Sequence, residues 1–295
     1  MRANEVLAKF LFSRGDVSAS KRRVDLVFTK EYVDNSPHSC QAANPEQTKI
    51  ALMSGFATRM YGYDRPEALT QSSPPKADIE VAATGFAEIF NSDWFSDVKG
   101  AKGEPFDIAA FAQKMRAAGI LSKDNISDPK NGVFQSDTGE ITMCANESLL
   151  KVSTPKSEAV TLLAGKSENV GALRVKSSSV DAAVAVCSVD NKPLRKSSRL
   201  LLIYSTDDAN SGAEYSADGS MLLKAGKLPV LMRAGVLEAE IETGATAKFA
   251  LYPLHSDGTR REPLPIEVVG GTAKIRIDTS KLKNGPTPFF EIVAQ

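Results

Sequence analysis

The spacing of hydrophobic residues changes near residue 133 of this chain. Before that point, several stretches repeat their apolar residues every three to four positions, which is the period of a helix with one buried face. This pattern predicts three helices, at residues 3–12, 44–62 and 106–121. The apolar stripe of the first helix consists of Ala3, Val6, Leu7, Phe10 and Leu11.

Two other features separate these predicted helices. Residues 23–28 form a short apolar run that is typical of a strand. Residues 70–78 are rich in proline and serine and indicate a linker or a surface loop. The first part of the chain therefore mixes helical and strand-like segments.

After residue 133 the apolar residues alternate with polar ones, which is the period of a strand with one buried face. Turn-forming clusters such as "DNKP", "SADGS" and "HSDGT" separate the alternating runs. Many short strands at this spacing favour an antiparallel β-sandwich over alternating strands and helices. The predicted strands lie at residues 141–145, 149–154, 158–165, 173–177, 180–190, 199–206, 228–232, 237–243, 247–254, 273–278 and 289–294.

The predicted fold class is α+β with more than one domain. A small N-terminal α/β segment covers residues 1–132, and an all-β antiparallel sandwich covers residues 133–295. A chain that opens inside a core-facing helix looks as if its beginning is missing. We therefore hypothesise that Met1 is an internal methionine of a longer protein. No secretory signal is recognisable here, because Lys9 interrupts the apolar stretch, but a longer parent protein can carry its own, so the compartment is left open.

The charge balance argues against two classes of partner. The chain has 36 Lys and Arg residues and 36 Asp and Glu residues, so its formal net charge is zero. This gives no electrostatic basis for binding nucleic acid or an anionic membrane. No run of apolar residues is long enough to predict a membrane-spanning helix.

Candidates for metal or nucleophilic chemistry are few. The three cysteines are widely separated, and the only histidines are His38 and His255. Neither a zinc site nor a Ser-His-Asp triad is indicated by these spacings, and no cofactor is predicted.

The tripeptide Asp137-Thr138-Gly139 has the letters of an aspartic protease active site. That chemistry needs two carboxylates about one hydrogen bond apart, so that they share a proton. The nearest second triplet is Asp278-Thr279-Ser280, in which serine replaces the glycine that permits close backbone approach. We interpret residues 136–139 as a turn that opens the sandwich. Arg14-Gly15-Asp16, similarly, is interpreted as a helix stop and not as an adhesion ligand.

One aromatic cluster and one isolated tyrosine are candidates for binding carbohydrate. Trp94 is the only tryptophan, and Asp93 and Asp97 flank it among phenylalanines. Aromatic faces stack on sugar rings and carboxylates accept hydrogen bonds from hydroxyl groups, although the same residues can simply hold a loop on the core. In the predicted sandwich, Tyr215 is the aromatic residue best placed for exposure in a loop.

The order of segments resembles the C-terminal part of large bacterial glycoside hydrolases of the β-galactosidase-like or agarase-like kind. The stretches that carry the resemblance are "RANEVLAKFLFSRGDV", "RVDLVFTKEYV", "QTKIALMSGFATRMYG", "NISDPKNGVFQSDTGEI", "KVSTPKSEAV" and the ending "FFEIV". Such enzymes carry a catalytic (β/α)-barrel followed by small α/β and β-sandwich domains.

The resemblance implies an accessory role in carbohydrate metabolism. The α/β segment would flank a catalytic barrel N-terminal to this chain, and the partners would be that barrel, carbohydrate, and a second copy if the protein is a homo-oligomer. This chain has too few βα units for a barrel, and none of its residues matches a catalytic position, so no catalytic residue is assigned. If the parent is an enzyme, it hydrolyses O-glycosyl bonds with residues outside this chain. The alternative is a stand-alone carbohydrate-binding or adhesion β-sandwich module.

Overall fold

The chain forms two compact units. The computed structural model describes residues 3–20, 24–28, 58–61, 79–83, 108–244 and 248–295. One unit contains residues 1–17 and 148–295, and the other contains residues 18–147. The predicted domain boundary falls at residue 133, whereas this division by compactness falls at residue 148.

The unit of residues 18–147 contains a small parallel sheet. Its strands are β1 (Val24–Phe28), β2 (Thr58–Tyr61) and β3 (Ile79–Ala83), in the order β2-β1-β3. β1 pairs in parallel with both neighbours, from Val24 opposite Thr58 and Ile79. Helix α2 (Ile108–Ala117) lies within the predicted third helix, and Ala112 and Met115 on its apolar face are buried. β4 (Val133–Gln135) and β5 (Ile141–Cys144) form an antiparallel hairpin.

One expectation for this unit was wrong, and one of its strands was not predicted. The helix predicted for residues 44–62 does not extend to Gly62, because Thr58–Tyr61 is a strand; residues 44–57 lie outside the described residues. Thr58 and Tyr61 both favour strands, and parallel pairing with β1 supplies backbone partners that the local pattern does not reveal. The strand at Ile79–Ala83 was missed because its run of two β-branched residues and two alanines is short.

The larger unit is built from antiparallel strands. Its longer strands confirm the strands predicted from the sequence. They are β6 (Leu149–Ser153), β7 (Ser157–Leu162), β8 (Glu168–Asn169), β9 (Leu173–Ser178), β10 (Ala182–Ser188), β11 (Arg199–Ser205), β12 (Asp208–Ser211), β13 (Glu214–Tyr215), β14 (Leu222–Lys224), β15 (Lys227–Met232), β16 (Val236–Glu242), β17 (Phe249–Pro253), β18 (Ile266–Val269), β19 (Thr272–Asp278) and β20 (Phe289–Ala294).

Eleven of these strands form two sheets in a sandwich-like arrangement. One sheet has the order β17-β20-β11-β10-β7-β6, and the other has the order β18-β19-β16-β9-β8. The remaining four form two-stranded ribbons, β12 with β15 and β13 with β14. The fold is therefore mostly antiparallel β, as the sequence predicts.

The two-residue period of each strand decides which side chains enter the core. In β16, Leu237, Ala239 and Ile241 are buried, and the glutamates between them face outward. β10 lies in the middle of its sheet and is buried along nearly its whole length. Its apolar run is the pattern expected of a strand that is covered on both faces.

The first segment of the chain also belongs to the larger unit. Helix α1 (Ala3–Ala8) continues into a wider π-helical turn at Lys9–Ser13. Ala3 and Leu11 of the predicted apolar stripe are buried, and the other three members of the stripe are partly covered.

Truncating a core side chain tests this assignment of the buried face. Leu202 on β11 is fully buried. We expect Leu202→Ala to lower the free energy of unfolding by about 2–5 kcal/mol, through lost apolar contact and a residual cavity. Val269→Ala is the control, because Val269 is 51% exposed, and it should change that free energy by less than about 0.5 kcal/mol. Urea unfolding followed by circular dichroism measures both, and equal effects would contradict the assignment.

Candidate functional site

Of the four residues predicted to bind carbohydrate, the structure describes Tyr215. Asp93, Trp94 and Asp97 lie outside the described residues. Tyr215 is on β13 and is 51% exposed. Its exposure agrees with the expectation from the sequence, and its surroundings define the main candidate surface of the molecule.

Tyr215 belongs to a long β-hairpin between β11 and β16, residues 206–233, which we call the arm. The base of the arm is closed by two hydrogen bonds. The Thr206 hydroxyl donates to the carbonyl oxygen of Arg233 over 2.6 Å, and the Arg233 amide donates to the Asp207 carbonyl oxygen over 2.8 Å. Strands β12 and β15 form the part of the arm near the base, and β13 and β14 form the part near the tip.

The tip of the arm is a turn organised by Asp218. Its carboxylate accepts hydrogen bonds from the Ser216 hydroxyl over 2.6 Å and from the Ser220 amide over 3.1 Å. These hydrogen bonds lower the pKa of Asp218 to about 2, and the bond from Ser216 has the largest effect. The carboxylate is thus committed to holding the turn, as short polar side chains commonly are.

Gly226 lies between β14 and β15, where the two ribbons of the arm are connected. Gly226 has a φ of 67°, and a Cβ atom at this position would lie 2.7 Å from both the Ala213 nitrogen and the Ser211 oxygen. Any side chain would therefore collide with the opposite backbone. Glycine is required for the two strands to approach this closely.

The side chains of the arm are unusually apolar for their exposure. Twelve large hydrophobic residues are exposed among the described residues, and seven of them lie in the arm. They are Tyr215, Met221, Leu222, Leu223, Leu228, Val230 and Leu231, with exposures between 44% and 78%. The sequence signal for this surface is a pair of apolar runs without alternation, residues 221–223 and 228–232, on either side of Gly226. Only the second run was predicted to be a strand.

A second candidate surface is a groove on the outer face of the five-stranded sheet. It has a volume of about 620 Å³ and is lined by β16, β18 and β19. Its charges are matched: Arg276 donates to Glu238 over 2.9 Å, and Lys176 lies 3.1 Å from Glu240. The hydrogen bond from Lys176 lowers the pKa of Glu240. The groove is a solvated ionic face, with its carboxylates held in ion pairs.

A buried polar network fastens the first segment to the sandwich. Arg14 Nε donates to Asp16 Oδ1 over 2.8 Å, and the Ser157 hydroxyl donates to Asp16 Oδ2 over 2.6 Å. Arg14 also donates to the carbonyl oxygen of Ser188. We call these four residues the clasp. The helix ends at Arg14, as predicted. Asp16 is buried and is therefore not exposed as part of an adhesion ligand.

Burial alone would raise the pKa of Asp16. The net effect is a lowered pKa, because Arg14 and Ser157 donate hydrogen bonds to the carboxylate and Arg14 adds a positive charge. The carboxylate is therefore ionised at neutral pH. No local pattern in the sequence links residue 16 to residue 157, so the clasp was not predicted.

Two further buried carboxylates hold strands together. Glu158 accepts from the amides of Ala172 and Leu173 over 3.0 and 2.7 Å. Burial outweighs these bonds and raises the pKa of Glu158. Glu291 is paired with Arg199 and Arg260, whose bonds and charges overcome the effect of burial and lower its pKa.

The Asp-Thr-Gly tripeptide is a turn, as we interpreted it. The Gly139 amide donates to the Ser136 carbonyl oxygen over 3.0 Å, and Gly139 has a φ of 76°. The Asp137 carboxylate accepts from the Ser20 hydroxyl over 2.7 Å. In the second triplet, Asp278 accepts from the amide and the hydroxyl of Ser280. Both carboxylates accept hydrogen bonds, Asp278 within its own turn and Asp137 from a serine that is distant in sequence.

The described residues offer neither a metal site nor a membrane-spanning helix. They contain no group of three or more His, Cys, Asp or Glu side chains arranged to hold a metal ion. None of the helices in that part of the chain is long and apolar enough to cross a membrane.

Burial raises the pKa of Cys187 to about 11, so this thiol is protonated at neutral pH and unreactive.

Comparison with known proteins found no matching family model, no matching curated protein and no matching solved structure.

Removing the charge at Asp16 tests the clasp. We expect Asp16→Asn to lower the free energy of unfolding at pH 7 by about 2 kcal/mol, because a partly buried guanidinium loses its ionic partner. The pKa of Asp16 is lower in the folded state, so its stabilisation is complete above the unfolded pKa of about 4 and is lost as the pH falls through the folded value. The wild type should therefore lose stability more steeply than Asp16→Asn below that pH.

Urea titrations between neutral and acidic pH measure this difference. Asp124→Asn is the matched control, because it changes an exposed carboxylate outside the clasp. If Asp16→Asn and the wild type show parallel acid limbs, the carboxylate of Asp16 does not stabilise the fold through its charge.

Proposed function

We propose that this chain is the accessory C-terminal part of a glycoside hydrolase that acts on polysaccharide or oligosaccharide, without a complete active site of its own. Residues 1–132 are proposed to contain a small α/β module that flanks a catalytic barrel, and the sandwich follows it. The proposal starts from the resemblance in segment order, since no family match supports it.

The observation that carries the proposal is the clasp. Residues 3–17 fold with the sandwich of residues 148–295. Residues 18–147 lie between these two parts in the sequence but form a unit of their own. Asp16 receives bonds from both Arg14 and Ser157, so the strand after the inserted unit holds the segment before it. A sandwich attached to the chain on both sides of another unit is suited to supporting its neighbours.

The state of the carboxylates favours the same role. Hydrolysis of a glycosidic bond needs two carboxyl groups that flank an open site, one of them free to give up a proton. The buried carboxylates Asp16, Glu158 and Glu291 are instead bonded to neighbouring strands or segments. Those in the charged groove are in ion pairs with lysine or arginine.

A direct assay with aryl glycosides tests this function. We expect the purified chain to release no aryl leaving group above the buffer rate from any of a panel of aryl α- and β-glycosides. The reason is that the buried carboxylates among the described residues serve as structural hydrogen-bond acceptors. Saturable hydrolysis that co-purifies with the chain through two chromatographic steps would contradict the proposal.

The second candidate function is a stand-alone carbohydrate-binding or adhesion module, and the exposure of Tyr215 favours it. The ring is half exposed near the tip of the arm, where it can stack on a sugar. The neighbouring carboxylates are less available, since Glu214 pairs with Lys224 over 2.7 Å and Asp218 holds the turn. Stacking, and not hydrogen bonding from these acids, would provide most of the affinity.

Affinity electrophoresis in polysaccharide gels tests this second function. If it is correct, Tyr215→Ala and Trp94→Ala should reduce retention several-fold, and Tyr215→Phe should preserve it, because the aromatic face is kept. Met221→Ala is the matched control on the arm, since Met221 is similarly exposed but not aromatic. Unchanged retention in both alanine variants at the aromatic positions would remove the support for a binding module.

A further inference from the structure

Glu158 is a buried carboxylate that joins the two sheets of the sandwich. It lies on β7 of the larger sheet and is 4% exposed. Its Oε1 atom accepts a hydrogen bond from the Ala172 amide over 3.0 Å, and its Oε2 atom accepts one from the Leu173 amide over 2.7 Å. These amides lie where the chain enters β9 of the five-stranded sheet. Both oxygens of the carboxylate are therefore engaged by the backbone of the other sheet.

Glu158 differs from the other buried carboxylates of this unit because it has no cationic partner. Asp16 and Glu291 each form ion pairs with arginine. Among the described residues, no lysine or arginine forms an ion pair with Glu158. A carboxylate that is removed from water without a cation is destabilised as an ion, so its proton is held more tightly.

The charged groups around Glu158 are paired with one another. Arg195 and Glu242 act on its carboxylate with opposite signs, and they form an ion pair of 2.7 Å. The lysine of β6 pairs with Glu168, the two basic residues of β9 pair with Glu240, and β10 has no charged residue. Burial therefore has the largest effect on the carboxyl group, and it raises the pKa of Glu158.

Residues 169–172 form a turn that covers the carboxylate. The Val170 amide donates across this turn to the Leu173 carbonyl oxygen over 3.0 Å. Gly171 lies directly against Glu158, because a Cβ atom at this position would be 2.5 Å from Glu158 Oε1. Glycine is what allows the turn to close over the buried group.

This turn lies at the edge of its sheet. It follows β8, which has two residues and pairs with β9 alone among the described strands. Residues 163–167, which lead into β8, are exposed. β7, in contrast, lies between β6 and β10. Segments with few buried contacts open at the lowest cost, so the turn is the side from which water can reach Glu158.

We propose that Glu158 and residues 169–172 form a proton-linked latch, in which protonation of Glu158 holds the turn closed and ionisation favours its opening. An ionised carboxylate gains hydration when the turn opens, whereas the neutral acid gains less. This latch is independent of the accessory role in a hydrolase.

The direction of the pH dependence follows from the raised pKa of the closed state. With the turn open, the carboxyl group is in water and has the ordinary glutamate pKa of about 4.3. The closed state binds the proton more tightly than the open state. Opening should therefore become easier as the pH rises from that ordinary value through the higher folded value, and should be independent of pH beyond it.

An NMR titration of the side-chain carboxyl carbons tests the latch in the wild type, with Glu158→Gln to identify the signal. We expect Glu158 to titrate above the ordinary value of about 4.3. Gly171→Ala places a methyl group where the carboxylate oxygen lies, so the carboxylate must move away from the amides toward water. Its titration midpoint should then fall toward the ordinary value. A wild-type midpoint at or below about 4.3, or one that Gly171→Ala does not lower, would overturn the proposal.

Hydrogen exchange at the Val170 amide measures the opening itself. After correction for the intrinsic exchange rate, the opening equilibrium constant of the wild type should rise several-fold between about pH 5 and pH 8. Glu158→Gln, which has no proton to lose in this range, should not show the rise. The control is the Gly219 amide, which donates to the Ser216 carbonyl oxygen in the arm and should exchange equally in both proteins.

Circular dichroism shows whether the variants are folded, and the titration of the wild type decides the question if Glu158→Gln is not. The same pH dependence at Val170 in the wild type and in folded Glu158→Gln would contradict the latch.

Discussion

The burial of apolar side chains between the two sheets is the interaction on which the larger unit depends. Leu202, Tyr204 and Phe290 come from one sheet, and Leu237 and Ile277 from the other, and all five are inaccessible to water. Because this layer excludes water, every polar group that enters it needs a partner. The Tyr204 hydroxyl shows the consequence, since it forms a hydrogen bond of 2.9 Å with the Ser178 hydroxyl.

The same requirement explains the buried carboxylates. Glu158 lies at the inner side of its strand, and burial raises its pKa although two backbone amides donate to it. Asp16 stays ionised because Arg14 donates a hydrogen bond to it and supplies a positive charge beside it. Each acid satisfies backbone or side-chain groups that would otherwise be desolvated without a partner. Their roles are structural.

The sequence predicted those features that depend on local spacing. The alternation in β16 and β19 predicted both the strands and their buried faces, and Gly139 marked the turn at residues 136–139. Features that depend on distant contacts escaped prediction. Thr58–Tyr61 becomes a strand because it pairs with β1, and Asp16 becomes a buried acceptor because Ser157 reaches it. Tyr215 was correctly expected to be exposed, but the close approach of Gly226 to the backbone of Ser211 and Ala213 was not predicted.

The contrast between the two outer surfaces of the larger unit gives the arm its significance. On the five-stranded sheet, outward positions carry charged residues that pair across strands, as Arg276 does with Glu238 and Arg174 with Glu240. Such charges keep a sheet face hydrated and discourage association. In the arm, by contrast, Leu228 and Val230 are exposed to water. The chain thus carries charged residues on the outer face of a broad sheet and exposes aliphatic residues on a narrow ribbon. Since exposed aliphatic surface is unfavourable in water, covering the arm would lower the free energy of the unit.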